Sequence, residues 1–523
     1  MLKKYKYLII LLALFTLYNA FFINKAIHID DHFTVSIAKA VNEDFINVPR
    51  VFFSNPILLG YYYAPIIRLF GEREAWLHIF YLPFTWLAII AMFFLSLRFT
   101  GRGILPTLFL ISTPAFIIMS QDIMLDIALL GFFLASIALF VHGADKDDNR
   151  LLFLSVILIS CAIFIKYSGL MLIPILAVYS LLYRRRKGLI FLLIPISFFI
   201  LWNVHNLMIY GESIFLSAVS MKLKEYFFNN ISIRVFAFLS FLSGTSIISL
   251  FLIPSLLNSK RDLIVLTASL PIGFCPFLAR KAFLGYSLFE KTMLTFLFIV
   301  SLYIILKIVA TFLKPHNKDN IFLSIWFFIL LFFTIFSQFI AARFALLLFP
   351  PMFLIIYNQM LRKRIIAFFL ILAFSLSTIL AIGDYHFAGV YRNVFSGLKK
   401  SMSETDQLHY LAGDWGYRYY ARKAGCRIAV EPKAGDIFIM PKDQPIPYLN
   451  IRKRYLEKIY ESGHKKTLIN RLEYFSNAVL HDRDMHAGFY CNDWGLLPFS
   501  LSMQKVLVES FKIYKLSYLR DEY

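Results

Sequence analysis

Residues 24–45 read NKAIHIDDHFTVSIAKAVNEDF, and the rest of the chain is organised around this stretch. It opens the first long loop, residues 24–75, between two apolar segments. Asp30 and Asp31 are adjacent carboxylates just beyond the end of the first segment. Apolar residues then recur every four positions, which predicts a short amphipathic helix lying at a membrane interface.

The composition identifies a membrane protein. The chain has 523 residues, of which 59% are hydrophobic and 16% are charged, whereas a soluble domain has about half apolar and a quarter charged residues. Apolar runs of spanning length recur from residue 8 to about residue 383. We therefore predict a polytopic α-helical membrane domain over residues 1–383 and a small soluble α/β domain over residues 384–523.

About thirteen spanning helices are predicted, and the N-terminal run has no convincing cleavage site, so it is interpreted as an uncleaved first helix. The predicted spans are 7–23, 76–97, 104–119, 127–143, 151–166, 168–183, 188–209, 234–256, 263–279, 288–312, 321–341, 344–361 and 365–383.

Basic loops set the predicted orientation. The clusters at 184–187 and 362–364 both fall on the same side as the N-terminus, which the positive-inside rule makes cytoplasmic. An odd number of helices then places the C-terminal domain outside. We expect a multi-pass protein of the cytoplasmic (inner) membrane.

The C-terminal domain shows short strand-like and helix-like runs. Residues 408–425 predict a strand, a turn and a helix that ends at Gly425. Residues 426–441 predict two strands, and residues 497–518 predict further strands. Outside the cell, Cys426 and Cys491 are either a disulfide or two free thiols, and the sequence leaves both open.

The net charge of +21 does not indicate nucleic acid here. The basic residues lie in short loops, where topology and anionic headgroups favour them, and no basic-aromatic nucleic-acid motif is present. The expected partners are membrane lipids, with some cations facing a phosphate.

Asp30 and Asp31 are candidates for a general base or for a ligand of a divalent metal near Asp31. The alternative is that Asp31 caps the helix that follows and Asp30 is solvated. Asp122 and Asp126 form a second acidic pair, with the i, i+4 spacing of one helical face. Asp126 opens an apolar run, where a carboxylate is costly and so indicates a role, although capping is the alternative.

Lys166 lies between two apolar runs, and Arg343 lies on the same predicted outer side. Either one can bind a phosphate, or can contact lipid headgroups instead. No histidine stands at metal-ligand spacing, and there is no Walker loop, GxGxxG, HExxH or GxSxG.

These pieces together resemble the GT-C superfold of membrane glycosyltransferases, in the branch of the protein O-mannosyltransferases and the lipid A aminoarabinose transferase. Each motif is short, but their order spans about 500 residues. Similar passages are IDDHFTVSIAKAV from Ile29, FFSNPILLGYYYAPIIRLFGEREAWLHI from Phe52, IMLDIALLGFF from Ile123, IKYSGLMLIP from Ile165, WNVHNLMIYGES from Trp202, AARFALLLFPPMFLI from Ala341, DWGYRYYARKAG from Asp414 and DWGLLPFSLS from Asp493.

The resemblance implies transfer of a sugar from a polyprenyl-phosphate donor to a glycolipid, glycan or protein acceptor on the outer face, with inversion. Asp30 is then the expected base, with Asp31 beside it, and Asp126 orients the acceptor or stabilises charge on the sugar. Lys166 and Arg343 are expected to hold the phosphate. Asn55, Asp122 and His205 complete the predicted substrate-binding set.

Two other classes compete with this reading. A transporter or flippase of lipid-linked saccharides places ionisable residues near the bilayer midplane, whereas here the acids cluster at outer helix ends. An O-antigen-ligase-like polymerase predicts essential Arg and His in a late loop, whereas the acidic pair here lies in the first.

Overall fold

The computed structural model describes residues 2–49, 55–225, 231–257, 260–279, 281, 283–313, 317–337, 339–360, 366–401, 408–410, 415–428, 431, 433–442 and 446–518. Within these ranges the chain is helical as far as Ser401, and a small mixed sheet follows.

The membrane part begins with long helices interrupted by short ones. The first twelve are α1 (Leu2–Ala20), α2 (Asp31–Glu43), α3 (Leu58–Phe70), α4 (Glu74–Ile79), α5 (Leu82–Thr100), α6 (Ile104–Ile111), α7 (Pro114–Met119), α8 (Leu125–Lys146), α9 (Asn149–Ile165), α10 (Leu172–Leu182), α11 (Arg186–Phe191) and α12 (Leu193–Tyr210). The next nine are α13 (Ile214–Glu225), α14 (Ile231–Gly244), α15 (Ile248–Leu256), α16 (Lys260–Gly273), α17 (Cys275–Leu278), α18 (Leu288–Phe312), α19 (Lys318–Ile335), α20 (Phe349–Gln359) and α21 (Ile366–Ser401).

Seven helical segments in the described residues are long and apolar enough to cross a membrane, and four shorter apolar helices accompany them. The prediction of a polytopic helical membrane protein is confirmed, whereas the count of thirteen spans stays a prediction. The basic residues 362–364, used above for the orientation, lie outside the described ranges. The seven segments are Glu74–Thr100, Leu125–Lys146, Arg186–Tyr210, Lys260–Leu278, Leu288–Phe312, Lys318–Ile335 and Ile366–Leu398.

The structure divides several of the predicted spans into shorter helices. The span 104–119 breaks between α6 and α7, where the Thr113 hydroxyl accepts from the Phe116 N–H at 3.2 Å and caps the second helix. Pro114 opens α7, and its missing N–H prevents the helical hydrogen bond that would join the two. The span 234–256 is likewise divided between α14 and α15.

The first loop contains two short helices, α2 and α3, that pack on one another. Their close approach depends on Gly60, because a Cβ added there would lie 2.3 Å from Cγ2 of Ile37. The Asn42 side chain adds a hydrogen bond of 2.8 Å to the carbonyl of Ala64. The predicted amphipathic helix is α2, and its apolar face is buried.

Helix α21 continues past residue 383, where the sequence analysis placed the domain boundary. Asp384 is therefore inside a helix, and it is buried at 1% exposure. A Cβ at Gly383 would lie 2.8 Å from Cβ of Ala478, so the helix packs closely on a strand of the C-terminal domain.

The C-terminal domain contains one mixed sheet of five strands in the described residues, with the order β2-β1-β3-β7-β4. Strand β1 pairs in parallel with both β2 and β3, whereas β7 pairs antiparallel with β3 and β4. The elements are β1 (Leu408–Tyr410), α22 (Trp415–Lys423), β2 (Arg427–Ile428), β3 (Ile437–Pro441), α23 (Ile446–Glu461), β4 (His464–Val479), β5 (His481–Asp482), β6 (Ala487–Gly488) and β7 (Ser500–Tyr518).

This domain is joined to the first loop through α22. The Tyr420 hydroxyl accepts from the backbone N–H of Ile27 at 2.9 Å and donates to the Glu74 carboxylate at 2.8 Å. A Cβ at Gly416 would lie 2.6 Å from the Ile27 carbonyl oxygen. The C-terminal domain therefore fixes the backbone that leads to Asp30.

Candidate active site

A cavity of about 590 Å³ lies between the first loop and the helical bundle. We call it the central cavity. Its charged and amide side chains are Asp30, Asn55, Asp126, Lys166 and Arg343. Apolar side chains, among them Phe33, Ile37, Leu129, Leu330, Phe333 and Leu346, form much of the remaining wall.

Asp30 reaches this cavity because of the turn that precedes α2. Ile29 has a φ of +40°, a conformation that β-branched residues rarely adopt. The turn is held by the His28 N–H, which donates to the Asp31 carboxylate at 3.0 Å, and by the His32 ring, which donates to the Ile29 carbonyl at 2.8 Å. Asp30 makes no side-chain cap to α2 and is 40% exposed, so its carboxylate is available to the cavity.

Asp126 enters the same cavity from the first turn of α8. Its carboxylate accepts from the Lys166 ammonium at 2.9 Å and lies 3.6 Å from Nε of Arg343. Lys166 has an extended backbone that ends α9, and its side chain lies over the ring of Phe344. Cation–π contact and the carboxylate together hold the ammonium at the cavity wall.

Arg343 joins the two acidic residues. Its Nη2 donates to Asp30 at 2.8 Å, and its Nη1 donates to the sulfur of Met124 at 2.9 Å. The Arg343 side chain is only 6% exposed. Lys166, Asp126, Arg343 and Asp30 thus form a line of alternating charge along one cavity wall, and a thioether is a weak acceptor that an anion can displace.

The other predicted site residues are divided between this cavity and other places. Asn55 lines the cavity. Asp31 and Asp122 are fully buried in a neighbouring polar cluster instead. His205 stacks on Trp202, with ring centroids 5.6 Å apart, and is not among the cavity-lining residues.

The neighbouring cluster is centred on Lys25, which the sequence analysis did not select. The Lys25 ammonium donates to Asp122 and to Asp384, each at 2.5 Å, and all three side chains are at most 1% exposed. The Tyr490 hydroxyl completes the cluster by donating to Asp384 at 2.9 Å. A lysine shortly before the acidic pair and an aspartate at the end of the last apolar run were the available signals.

In the described residues no three His, Cys, Asp or Glu side chains are arranged to hold a metal ion. The Lys25 ammonium supplies the cation between Asp122 and Asp384. The carboxylate of Asp31 beside it accepts from backbone, so the residues near Asp31 fit a lysine-centred cluster better than the metal site that was considered. Cys426 and Cys491 are both free thiols.

Residues 61–211 match the family model of the dolichyl-phosphate-mannose-protein mannosyltransferases (PMT). The matched part extends from α3 to the end of α12 and includes Asp126 and Lys166. Over these residues the chain is similar to the membrane glycosyltransferases of this family. The predicted resemblance to the protein O-mannosyltransferase branch of the GT-C superfold is confirmed over this part of the chain.

A distant likeness in fold exists to two crystal structures of ArnT from Cupriavidus metallidurans. The apo structure has 12% identity and a TM-score of 0.41, with 86% of this chain and 95% of that chain covered. The structure bound to undecaprenyl phosphate has 12% identity and a TM-score of 0.43, with 89% and 96% covered. A search of curated protein sequences gives no match.

Proposed function

We propose that this protein transfers a sugar from a polyprenyl-phosphate donor to an acceptor hydroxyl, with inversion at the anomeric carbon, on the outer face of the cytoplasmic membrane. The observation that carries the proposal is that Asp30, Asp126, Lys166 and Arg343 line one cavity with apolar walls. Carboxylates and cations supply acid-base and phosphate chemistry, and the apolar wall suits a prenyl chain.

The reaction needs one base and a stabilised leaving group. The acceptor oxygen attacks the anomeric carbon while the bond from that carbon to the phosphate oxygen breaks. The hydroxyl proton passes to Asp30, and the phosphate leaves as an anion beside Lys166 and Arg343. No strong general acid is required because a phosphate anion is stable without a proton, so positive charge is the main requirement on the donor side.

Donor binding also changes the ion pair between Arg343 and Asp30. Arg343 is bonded to Asp30 at 2.8 Å in this structure, so the guanidinium occupies a carboxylate oxygen that would take the acceptor proton. A donor phosphate at Arg343 competes with Asp30 for the guanidinium. Donor binding therefore releases the base, and Asp126 stays in place to hold Lys166 and to face the positive charge that develops on the sugar.

The acceptor has a separate approach. A groove of about 820 Å³ lies between α2, the turn at residues 70–73 and α22, and Phe33 borders both this groove and the central cavity. Clefts where two domains meet are common binding sites. We place the acceptor in this groove with its reactive hydroxyl toward Phe33, the side chain that the groove shares with the cavity of Asp30.

The groove is basic, which favours an acceptor with phosphate or carboxylate groups. Burial and the nearby Glu72 carboxylate raise the pKa of Tyr419, so its phenol stays protonated and donates to Glu72 at 3.1 Å. Lys39 neutralises the same carboxylate at 2.7 Å. Five cationic and two acidic side chains line the groove, namely Lys39, Arg73, Arg418, Arg422 and Lys423 with Glu43 and Glu72.

The test uses the full-length protein in nanodiscs with a set of radiolabelled polyprenyl-phosphate sugars. Transfer to glycolipid, glycan or protein fractions from the host membrane supports the proposal, and mass spectrometry of surface glycans from a deletion strain identifies the missing product. Failure of every donor to lose its sugar contradicts the proposal.

Reporter fusions at residues 185 and 400 test the sidedness and should report inside and outside, respectively. The family match is to transferases, so the transporter alternative has no support.

A further inference from the structure

The chain segment just before Arg343 is paired with the C-terminal domain. The Ile340 N–H donates to Oδ1 of Asn492 at 2.8 Å, and the Asn492 N–H donates back to the Ile340 carbonyl at 2.8 Å. The Ala342 N–H donates to the Phe489 carbonyl at 2.9 Å. Three hydrogen bonds therefore hold residues 340–342, and one of them depends on a side chain.

The partner segment, residues 486–497, is itself tightly built. The Gly488 N–H donates to the Leu497 carbonyl at 2.7 Å, and the Leu497 N–H donates to the His486 carbonyl at 3.1 Å. A Cβ at Gly495 would lie 1.9 Å from the His486 carbonyl oxygen, so only glycine fits there. Such a compact segment offers a rigid surface on which residues 340–342 are positioned.

The same segment is anchored to the membrane helices at a second point. The Tyr490 hydroxyl donates to Asp384 at 2.9 Å and lies 3.2 Å from the Asp122 carboxylate, beside the Lys25 ammonium. Residue 490 is buried at 2% exposure. The segment is therefore fixed on one side by the Lys25 cluster, and on its other side it fixes the backbone of Arg343.

We infer that Asn492 is a positioning residue for Arg343, so that the C-terminal domain completes the phosphate-binding wall of the central cavity. This inference rests on the proposed function, because it assigns the donor phosphate to Arg343. Asn492 does not line the cavity, and it acts by setting where the 3₁₀ turn Ala342–Leu347 begins. Without Oδ1 of Asn492, the buried Ile340 N–H loses its hydrogen-bond acceptor. The turn is then free to shift.

The test is the affinity of the full-length protein in nanodiscs for undecaprenyl phosphate. Asn492→Ala should weaken binding roughly threefold to tenfold, the effect of one lost buried hydrogen bond. Asn492→Asp keeps an oxygen that accepts from the Ile340 N–H, so it should restore most of the affinity. Asn477→Ala is the matched control, because Asn477 bonds the Ser502 carbonyl at 3.0 Å at an exposed site of the same domain.

A double mutant separates positioning from general stability. If Asn492 acts through Arg343, adding Asn492→Ala to Arg343→Ala should weaken binding no further, whereas independent effects add. Additive losses, or wild-type affinity in Asn492→Ala beside weak binding in Arg343→Ala, overturn this inference and leave the proposed function standing. Wild-type affinity in Arg343→Ala overturns the proposed phosphate site itself.

Discussion

Arg343 and Asp30 are 313 residues apart in the chain, and their side chains are joined by a hydrogen bond of 2.8 Å. The bond links the first loop to the turn before α20 at the wall of the central cavity. It couples the candidate base, Asp30, to the residue proposed to bind the phosphate, Arg343. Mutation of Asp30 separates proton transfer from donor binding.

Replacing Asp30 with Asn should reduce the turnover number by about a hundredfold to ten-thousandfold, the usual contribution of a general base. The amide cannot accept the acceptor proton. Affinity for undecaprenyl phosphate should stay the same or rise, because Arg343 loses the carboxylate that competes for it. Asp44→Asn is the control, since Asp44 is an exposed residue of the same loop that bonds Asn47. Full activity in Asp30→Asn removes this residue from the mechanism.

Replacing Asp126 with Asn should also lower turnover strongly, through loss of the charge that holds Lys166 at 2.9 Å and faces Arg343. The measurement is the rate of sugar transfer at saturating donor, with protein folding checked by thermal denaturation. Asp147→Asn is a suitable comparison, because Asp147 lies at the other end of α8 and pairs with the exposed Lys187. A wild-type rate in Asp126→Asn assigns Asp126 a structural role only.

The four charged cavity residues could be located from the sequence because a charge beside a long apolar run is conspicuous. Asp126 and Lys166 each interrupt such a run, and Asp30 follows the first one. Lys25 was missed because its partner Asp384 is 359 residues away and only the fold brings them together. The exposed strand β4 was missed for a related reason, since a mostly solvated ribbon has no apolar periodicity to recognise.

Replacing Lys25 with Met should destabilise the protein by about 3–5 kcal/mol, because breaking a buried pair leaves uncompensated carboxylates. Lys25 and both acidic partners are at most 1% exposed. Lys187→Met should cost only about 0–1 kcal/mol, since its pair with Asp147 is exposed. Thermal denaturation in detergent measures both. Equal stability of the two variants contradicts the structural role of the cluster.

Reversing two charges in the basic groove, Arg73→Glu with Arg422→Glu, should raise the KM for an anionic acceptor at least tenfold. Donor affinity should not change, because neither residue lines the central cavity. The effect should shrink at high salt, where surface charges are screened. Arg454→Glu, on the exposed side of α23, controls for the added negative charge. An unchanged acceptor KM moves the acceptor site elsewhere.

The two thiols of the C-terminal domain should react slowly with iodoacetamide in the folded protein. Burial raises the pKa of Cys426 to about 11, and burial with the nearby Asp493 raises the pKa of Cys491 to about 12. Because the thiolate is the nucleophile, labelling should be slow at pH 8 and accelerate only toward pH 11. Unfolding should bring both thiols to ordinary reactivity. A mass consistent with a disulfide between them would contradict the free thiols seen here.

Lys25 is translated long before its partners, because Asp384 follows it by 359 residues and Tyr490 comes later still. The helices that follow Lys25 are consequently inserted while its ammonium still lacks Asp384 and Tyr490. The first loop can therefore reach its final packing only after α21 and Tyr490 have been synthesised. In a chain terminated before α21, the first loop should not reach its final packing. Membrane quality-control proteases should then degrade that chain.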